Sequence, residues 1–555
     1  AVAAAPKAVA AAREKPLLKI AVMSDVQGYP FSEDAGMRNL ERALDVLAPL
    51  KPDVVVTNGD INNSGNDMDA VRWYKARCDA RLGKIPHVAA AGNHEIGFIS
   101  KELKDVRTPA ACVADFNSVF GEGPSPLVHR VIGGYDFIAL SLLSISGFSA
   151  DDLKPLKAAL DKAVARDAKK PVFVMTHYHP ADTVNDSSHG VKSRGGLLRE
   201  LLNRYPQVVN LSGHTHNPLQ DPRSIWQGEF TVVDTSTLCY GCLSGNPPAN
   251  NQISCLIPYG HESVGFLLLE VYADRLVFRR FTARDRRELD PERPWTMTLP
   301  YDPKRPQFDF ASRAARTPAP QLPTDAEPTL WYDYGLIYMM FAAATDPTSV
   351  YGYRIEIAEK GGEAKSHFVI SDYYRIPEHR QNRIVFRFPP KATRPGGKYH
   401  CRIFPVGFFG AEGRPCEWDF DIRADYPRIE REWAKCKDDP FCQGYIYWGE
   451  TEHCDIMWYE YYSKNIWNPK YKVEELMPGF CRDRYGSEAA KMLPVWRKML
   501  PISIGHGYGN LFMNILPKIP TVLEKEKSFR TFPWRTFVIA DAPAKVCEAD
   551  IVYAL

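Results

Sequence analysis

LLKIAVMSDVQG, residues 17–28, decides how the rest of the chain is read. A short apolar run breaks into a polar turn, the pattern of a buried strand whose carboxyl end delivers Asp25 and Gln27. The same punctuation recurs downstream. DVVVTNGD (53–60) ends on Asn58-Gly59-Asp60, and HVAAAGNHE (87–95) on Gly92-Asn93-His94-Glu95. PVFVMTHYH (171–179) ends on Thr176-His177-Tyr178-His179, and VVNLSGHTH (208–216) on Gly213-His214-Thr215-His216. Apolar residues at helical spacing fill 37–50 and 153–168. Strands alternating with helices predict an α/β domain with a largely buried sheet. TVVDTST (231–237), GFLLLEVY (265–272) and RLVFRRF (275–281) predict hairpin strands that close it. Ligands of open α/β sheets bind beyond the carboxyl ends of the strands, so the polar turns are expected to meet at one edge.

That edge would collect Asp25, Gln27, Asp60, Asn93 and several histidines with almost no Lys or Arg. Carboxylates and imidazoles packed together are costly to bury, and a pair of divalent cations resolves the cost. Oxygen and imidazole donors suit Mn, Fe, Zn or Co, and the lack of Cys argues against a purely soft site. The glycines before the donors permit tight turns and close backbone approach. An i,i+2 spacing on extended backbone predicts that His214 and His216 share one side.

Taken in order, these motifs resemble those of the calcineurin-like metallophosphoesterases: Asp-x-(His), Gly-Asp, Gly-Asn-His-Glu, His and Gly-His-x-His. The resemblance covers about half the chain. It implies a two-sheet α/β sandwich with flanking helices and a binuclear centre of divalent or trivalent ions (Mn, Fe, Zn or Mg). It further implies that Asp60 bridges both ions. Asp25, Gln27 and His216 would complete one site, and Asn93, His177 and His214 the other. His94 would face the scissile phosphate and stabilise charge or protonate the leaving group. The ions would lower the pKa of the attacking water. Gln27 departs from the usual His and is a weaker, harder ligand. Manganese-dependent ADP-ribose/CDP-alcohol diphosphatases share Asp-x-Gln, which keeps a nucleotide-diphosphate substrate open. His177 directly ends its strand and is the preferred ligand. His179, His189 and Arg194 stand as residues behind the ligands or facing substrate; His129, Asp67 and Tyr29 read as structural or solvated.

The remaining chain divides by composition. Residues 1–16, AVAAAPKAVAAAREKP, read as a flexible leader after a removed secretion signal, which predicts a secreted or periplasmic protein. The phosphoesterase-like part is expected at 17–305, followed by a Pro- and Ala-rich linker at 306–326. Residues 327–426 resemble a fibronectin type III domain. SVYGYRIEI (349–357) supplies Tyr353 after Gly352, and KYHCRIFPVGFFG (398–410) places Tyr399, Cys401, Ile403 and Gly410 at the family's later-strand positions. Phe341 stands for the usual B-strand Trp. Residues 427–555 are aromatic and Cys-rich and match no known pattern; the run CQGYIYWGETEHCDIMWYEYYSKNIW (442–467) reads as core or interface. The 12 cysteines, with clusters at 239, 242 and 255 and at 436, 442 and 454, suit disulfides or burial.

Net charge is +2, from 69 basic and 67 acidic side chains, so no basic stripe argues for a nucleic-acid partner. No apolar run is long enough to span a membrane as a helix. The leading expectation is an exported hydrolase of a small or surface-displayed phosphoester, monoester or diester. The competing one is a binding or adhesion protein in which a degenerate phosphoesterase domain is carried along, with glycan or protein contacts through the C-terminal domains.

Overall fold

The computed structural model describes residues 14–28, 35–65, 68–97, 107–187, 193–244, 254–256, 260–324, 328–333, 336–346, 350–389, 392–393, 397–422, 460–461, 464, 468 and 471–505. Its first unit runs through β1 (Leu18–Met23), α1 (Ala35–Leu50), β2 (Val54–Thr57), α2 (Asp69–Leu82), β3 (His87–Ala89), the single turn α3 (Asn93–Ile96), α4 (Pro109–Val119), β4 (Leu127–Ile132), β5 (Tyr135–Leu140) and α5 (Ala150–Arg166). It continues through β6 (Val172–Thr176), α6 (Ser193–Leu202), β7 (Val208–Ser212), β8 (Ile225–Gln227), β9 (Thr231–Asp234), β10 (Cys242–Ser244), β11 (Ser254–Leu256), β12 (Gly265–Val271), β13 (Arg275–Thr282), β14 (Glu288–Leu289) and β15 (Trp295–Thr298).

These strands form two large mixed sheets. One has the order β14-β13-β12-β1-β2-β3, with β15 on β13; the other has β4-β5-β6-β7-β9-β8. Within the first, β1, β2 and β3 run parallel; within the second, β5, β6, β7 and β9 do. The strands are apolar on both faces because both faces are covered. Ile20, Val22, Val54, Val56 and Val88 meet Phe137, Phe173, Met175, Val209 and Leu211 between the sheets. Ala21, Met23 and Val55 face Leu40, Leu44 and Leu47 of α1, and Ile138 and Val174 face Leu156 and Leu160 of α5. The result is a mixed α/β sandwich flanked by helices, as the motifs implied.

Two local expectations change. Helix α5 begins at Ala150, ahead of the periodic run, because Ser149 caps it and exchanges hydrogen bonds with Asp152. Residues 231–234 do form a hairpin, with β8, but it lies in the second sheet, where β9 also runs parallel to β7. The stretch read as a linker contains α7 (Phe310–Arg316), and Gln307 and Phe308 donate backbone N–H groups to Gln227 Oε1.

Beyond it, β16 (Thr329–Asp333), β17 (Leu336–Ala342), β18 (Val350–Glu359), β19 (Lys365–Ile370), β20 (Arg383–Arg387), β21 (Lys398–Gly407) and β22 (Cys416–Asp421) form two antiparallel sheets. Their orders are β16-β17-β20 and β19-β18-β21-β22. Phe341, Tyr353, Ile355, Phe386, Tyr399, Cys401 and Phe420 fill the space between them. Further on, α8 (Val473–Tyr485) and α9 (Ala489–Gly505) pack around Tyr461, Leu476 and Phe480. Most of the aromatic run at 442–467, and Cys436, Cys442, Cys454 and Cys547, lie outside the described residues. Cys78, Cys112, Cys401 and Cys481 are buried thiols. No described helix is long and apolar enough to cross a membrane.

Candidate metal centre

Strands β1, β2, β3, β6 and β7 stop at Met23, Thr57, Ala89, Thr176 and Ser212, immediately before the five polar motifs. Both sheets therefore deliver their turns to the same edge. Backbone bonds tie the turns together: Asp25 N–H donates to Gly59 O (3.1 Å), Gln27 N–H to Asp60 O (2.9 Å) and Gly213 N–H to His177 O (3.1 Å). Asp25, Gln27, Asp60, His214 and His216 all have left-handed backbone, with φ between 45° and 74°. Non-glycine residues rarely adopt it, at a cost of about 1–3 kcal/mol each. The surrounding fold sustains that cost at the positions that carry the donors. This also corrects the extended reading of 213–216. β7 has ended, the two histidines are left-handed, and they serve different halves of the site.

In one half, Asp60, His177 and His214 present ligand atoms within 4.8 Å of one another. Asp60 Oδ2 lies 3.1 Å from His177 Nε2. Asn93 Oδ1 lies 2.9 Å from the same nitrogen, and His177 Nδ1–H donates to Asn58 O at 2.7 Å. In the other half, His216 Nε2 lies 3.2 Å from Asp25 Oδ1, and its Nδ1–H donates to Tyr240 O at 2.9 Å. Asp25 also accepts from Ser24 Oγ and from the His214 backbone N–H. Asp60 also meets His94: its Oδ1 accepts the His94 backbone N–H at 2.9 Å, and its Oδ2 lies 3.8 Å from His94 Nε2. The His94 side chain is 21% exposed, whereas that of His177 is fully buried, so His94 sits at the mouth. Gln27 approaches His94, with Nε2 3.3 Å from its Nε2, while His94 Nδ1–H donates to Asn63 O at 3.2 Å.

The electrostatics follow from burying acids against imidazoles. Burial works to raise the Asp60 carboxyl, but His177 and His94 outweigh it and hold it well below the usual range. Burial pulls His177 down, but Asp60 pushes it up to about 9. His216 is raised against its burial by Asp25. The acids thus favour protons on His177 and His216, and the ion pairs of Asp25 and Asp60 among the described residues are all to histidines. Cations can replace those protons, and oxygen and imidazole donors with Nδ1–H groups fixed on backbone carbonyls fit that exchange.

His179 stays out of both halves. Its ring engages Ser212 Oγ (2.6 Å), Thr215 Oγ1 (3.1 Å) and Asp234 Oδ2 (3.3 Å), a buried network beneath the turns. His189 and the Arg194 side chain, like Asp67 and Tyr29, fall outside the described residues. His129 pairs with Asp136 on β4 and β5, on a strand that carries none of the donors. Two contributors escaped the sequence reading. The Glu95 carboxylate accepts the N–H groups of Asp60 (2.8 Å), Ile61 (2.7 Å), Asn62 (3.3 Å) and Gly92 (2.6 Å), which fixes two donor turns at once. The available signal was an acid three residues after Gly92, the spacing of a capping box. Asn58 was quoted as part of a turn, yet its carbonyl orients His177; no side-chain pattern announces such a carbonyl.

Residues 18–218 match the family described as calcineurin-like phosphoesterase. No curated protein sequence matches the chain. Among solved structures, purple acid phosphatase PPD1 from yellow lupin (Lupinus luteus) seeds is 14% identical with a TM-score of 0.38, over 51% of this chain and 53% of that one. The chain therefore spans about half the length of that phosphatase. TT1561 of Thermus thermophilus is 10% identical with a TM-score of 0.28, over 49% of this chain and 97% of that one. The FN1–FN3 domains of chicken CNTN1 are 14% identical with a TM-score of 0.15, over 29% of this chain and 48% of that one. Residues 18–218 thus carry the likeness to calcineurin-like phosphoesterases.

Proposed function

We propose that the chain hydrolyses phosphoesters at a binuclear metal centre, with Asp60 shared between the ions. Asp25, Gln27 and His216 would hold one ion, and Asn93, His177 and His214 the other. One observation carries this reading: His177 and His216 each commit Nδ1–H to a backbone carbonyl and turn Nε2 toward a buried carboxylate. That arrangement fixes the tautomer a metal needs. When bound, the ions supply neutralisation of phosphoryl oxygens and a water of lowered pKa for in-line attack. The chain's own residues do the rest. His94, at the mouth and fixed by Asn63 O and Asp60, is placed to stabilise developing charge or to give a proton to the leaving oxygen. Glu95 keeps the Asp60 and Gly92 turns in register.

The strand order of residues 329–422 and the contact of Phe341 on Tyr353 (5.1 Å) support a fibronectin type III-like module. The Ala-rich stretch at 1–16, of which only 14–16 are described, supports an exported setting. Cell fractionation tests that setting: all protein in the cytoplasm would refute it. Elemental analysis of purified protein, followed by turnover of p-nitrophenyl phosphate and bis-p-nitrophenyl phosphate with Mn, Zn, Fe or Mg, tests the enzyme. About two ions per chain are expected, with turnover abolished in Asp60→Asn; the preferred substrate separates monoesterase from diesterase. Protein without metal or turnover under every supplement would refute the catalytic reading and favour the adhesion one.

A further inference from the structure

We infer that the β-sandwich of residues 329–422 is a clamp for the metal centre, holding the turns around His216 in place. This rests on the metal-centre reading above. Two routes lead from the sandwich to that histidine.

The first passes through the segment directly after His216. Tyr374 donates its hydroxyl to Asp221 Oδ2 at 2.8 Å, and Tyr373 donates its own to Gln220 O at 3.2 Å. Asp221 is fully buried and grips Arg223 through Nε (2.9 Å) and Nη2 (2.7 Å). The Arg223 guanidinium lies 4.2 Å from the centre of the Tyr351 ring. A buried ion pair is costly to leave incomplete, so the hydroxyl of Tyr374 and the face of Tyr351 are part of what makes this one tolerable. Arg223 O in turn accepts Asn185 N–H at 3.1 Å, and Asn217 Nδ2 donates to Asn185 O at 2.8 Å. Asn217 adjoins His216, and Asn185 belongs to the turn that follows His177 and His179. These contacts therefore fasten the segment after His216 to the segment after His179, and the first of them to the sandwich.

The second route passes through β10. Leu243 is buried with Tyr351, Tyr374 and Phe408 of the sandwich. One residue earlier, Cys242 N–H donates to His216 O at 2.9 Å, and Tyr240 O receives His216 Nδ1–H at 2.9 Å. Cys239 N–H donates to Asp25 O at 3.1 Å. The segment 239–243, which orients His216 and touches Asp25, is thus pinned at Leu243 by sandwich aromatics. Tyr351 and Tyr374 serve both routes. They act through other groups and are positioning residues.

The test uses the full-length chain and two interface variants, Tyr374→Phe and Leu243→Ala. Tyr353→Phe is the control, because its hydroxyl accepts from Ala344 N–H inside the sandwich, away from the interface. The readouts are metal release to a chelator and amide exchange over 214–224 and 239–244. Tyr374→Phe is expected to release metal about tenfold faster and to exchange faster in both segments, with Tyr353→Phe unchanged. Wild-type release and exchange in Tyr374→Phe would overturn the clamp. That variant removes one oxygen and decides the matter even where Leu243→Ala fails to fold. If wild-type protein binds no metal, the proposed function falls; exchange then judges the clamp, faster in Tyr374→Phe supporting it and unchanged exchange overturning it.

Discussion

Gly92 shows how tightly the donors are packed. A Cβ on it would stand 2.3 Å from Asp60 Oδ1 and 2.8 Å from His177 Nδ1; one on Gly213 would stand 2.2 Å from Asp25 Oδ2. Gly92→Ala is therefore expected to displace the Asp60 carboxylate and abolish metal retention while the secondary structure persists. Elemental analysis beside circular dichroism checks it; full metal content in the variant would mean that the carboxylate does not occupy this space. Glu95 is the second case. Glu95→Gln turns two amide hydrogens toward backbone N–H groups that need an acceptor, and leaving such buried donors unmet costs about 1–3 kcal/mol. A lowered urea midpoint and weakened metal binding are expected together, since both turns it fixes carry donors. The polar residues gathered at this edge were legible in the sequence, since each follows a strand and each is of a type that can bind metal. The roles of Glu95 and Asn58 were not, because their partners are backbone groups. The separation of His177 from His179 was equally hidden: β6 stops at Thr176, so strand alternation no longer says where either ring points.

Short strands carry much of this geometry, and β3 is the shortest of those feeding the site. Its first residue, His87, is buried, shares a hydrogen bond of 2.8 Å with Thr57 Oγ1 and packs against Tyr74 and Phe120. Burial first, and Lys75 second, hold its imidazole down to about 3. The unfolded chain takes up a proton near pH 6.5 that the folded chain refuses. The stability His87 contributes is therefore complete above about pH 6.5 and lost as pH falls toward 3. By pH 5 the loss is on the order of 2 kcal/mol. Urea midpoints of wild type and His87→Gln at pH 7.5 and 5 check this. The wild type should lose more than the variant, and equal losses would place the acid sensitivity elsewhere. Hydrophobic runs announced β1, β2, β3, β6, β7, β9, β12 and β13, but not which sheet each would join. Residues 231–234 form the hairpin their pattern suggests, with β8, yet also join β7 in parallel, because sheet membership depends on partners distant in sequence.

At the scale of the molecule, the proposed centre implies two kinds of fastening at one edge: the ions it would hold and the sandwich behind His216. Composition separated these regions into successive domains, and it gave no sign that they share buried contacts. Nothing in the sequence sets Tyr351 and Tyr374 apart, and only their position shows Asp221 and Leu243 against them. Ligands that bind only the folded state stabilise it by about 2.7 kcal/mol at a hundredfold excess over Kd. If the centre and the sandwich are coupled, that stabilisation should reach both. Chelation of the purified protein is then expected to lower protection from amide exchange across 208–224 and 239–244 and, to a smaller extent, across 350–356 and 368–374. The helices at 473–505 pack around a core of their own and serve as the internal reference. Restoring Mn or Zn should reverse the change in wild type and leave Asp60→Asn unmoved. Loss confined to the donor turns would mean that the interface transmits nothing, and that the sandwich is joined to the phosphoesterase domain without sharing its stability.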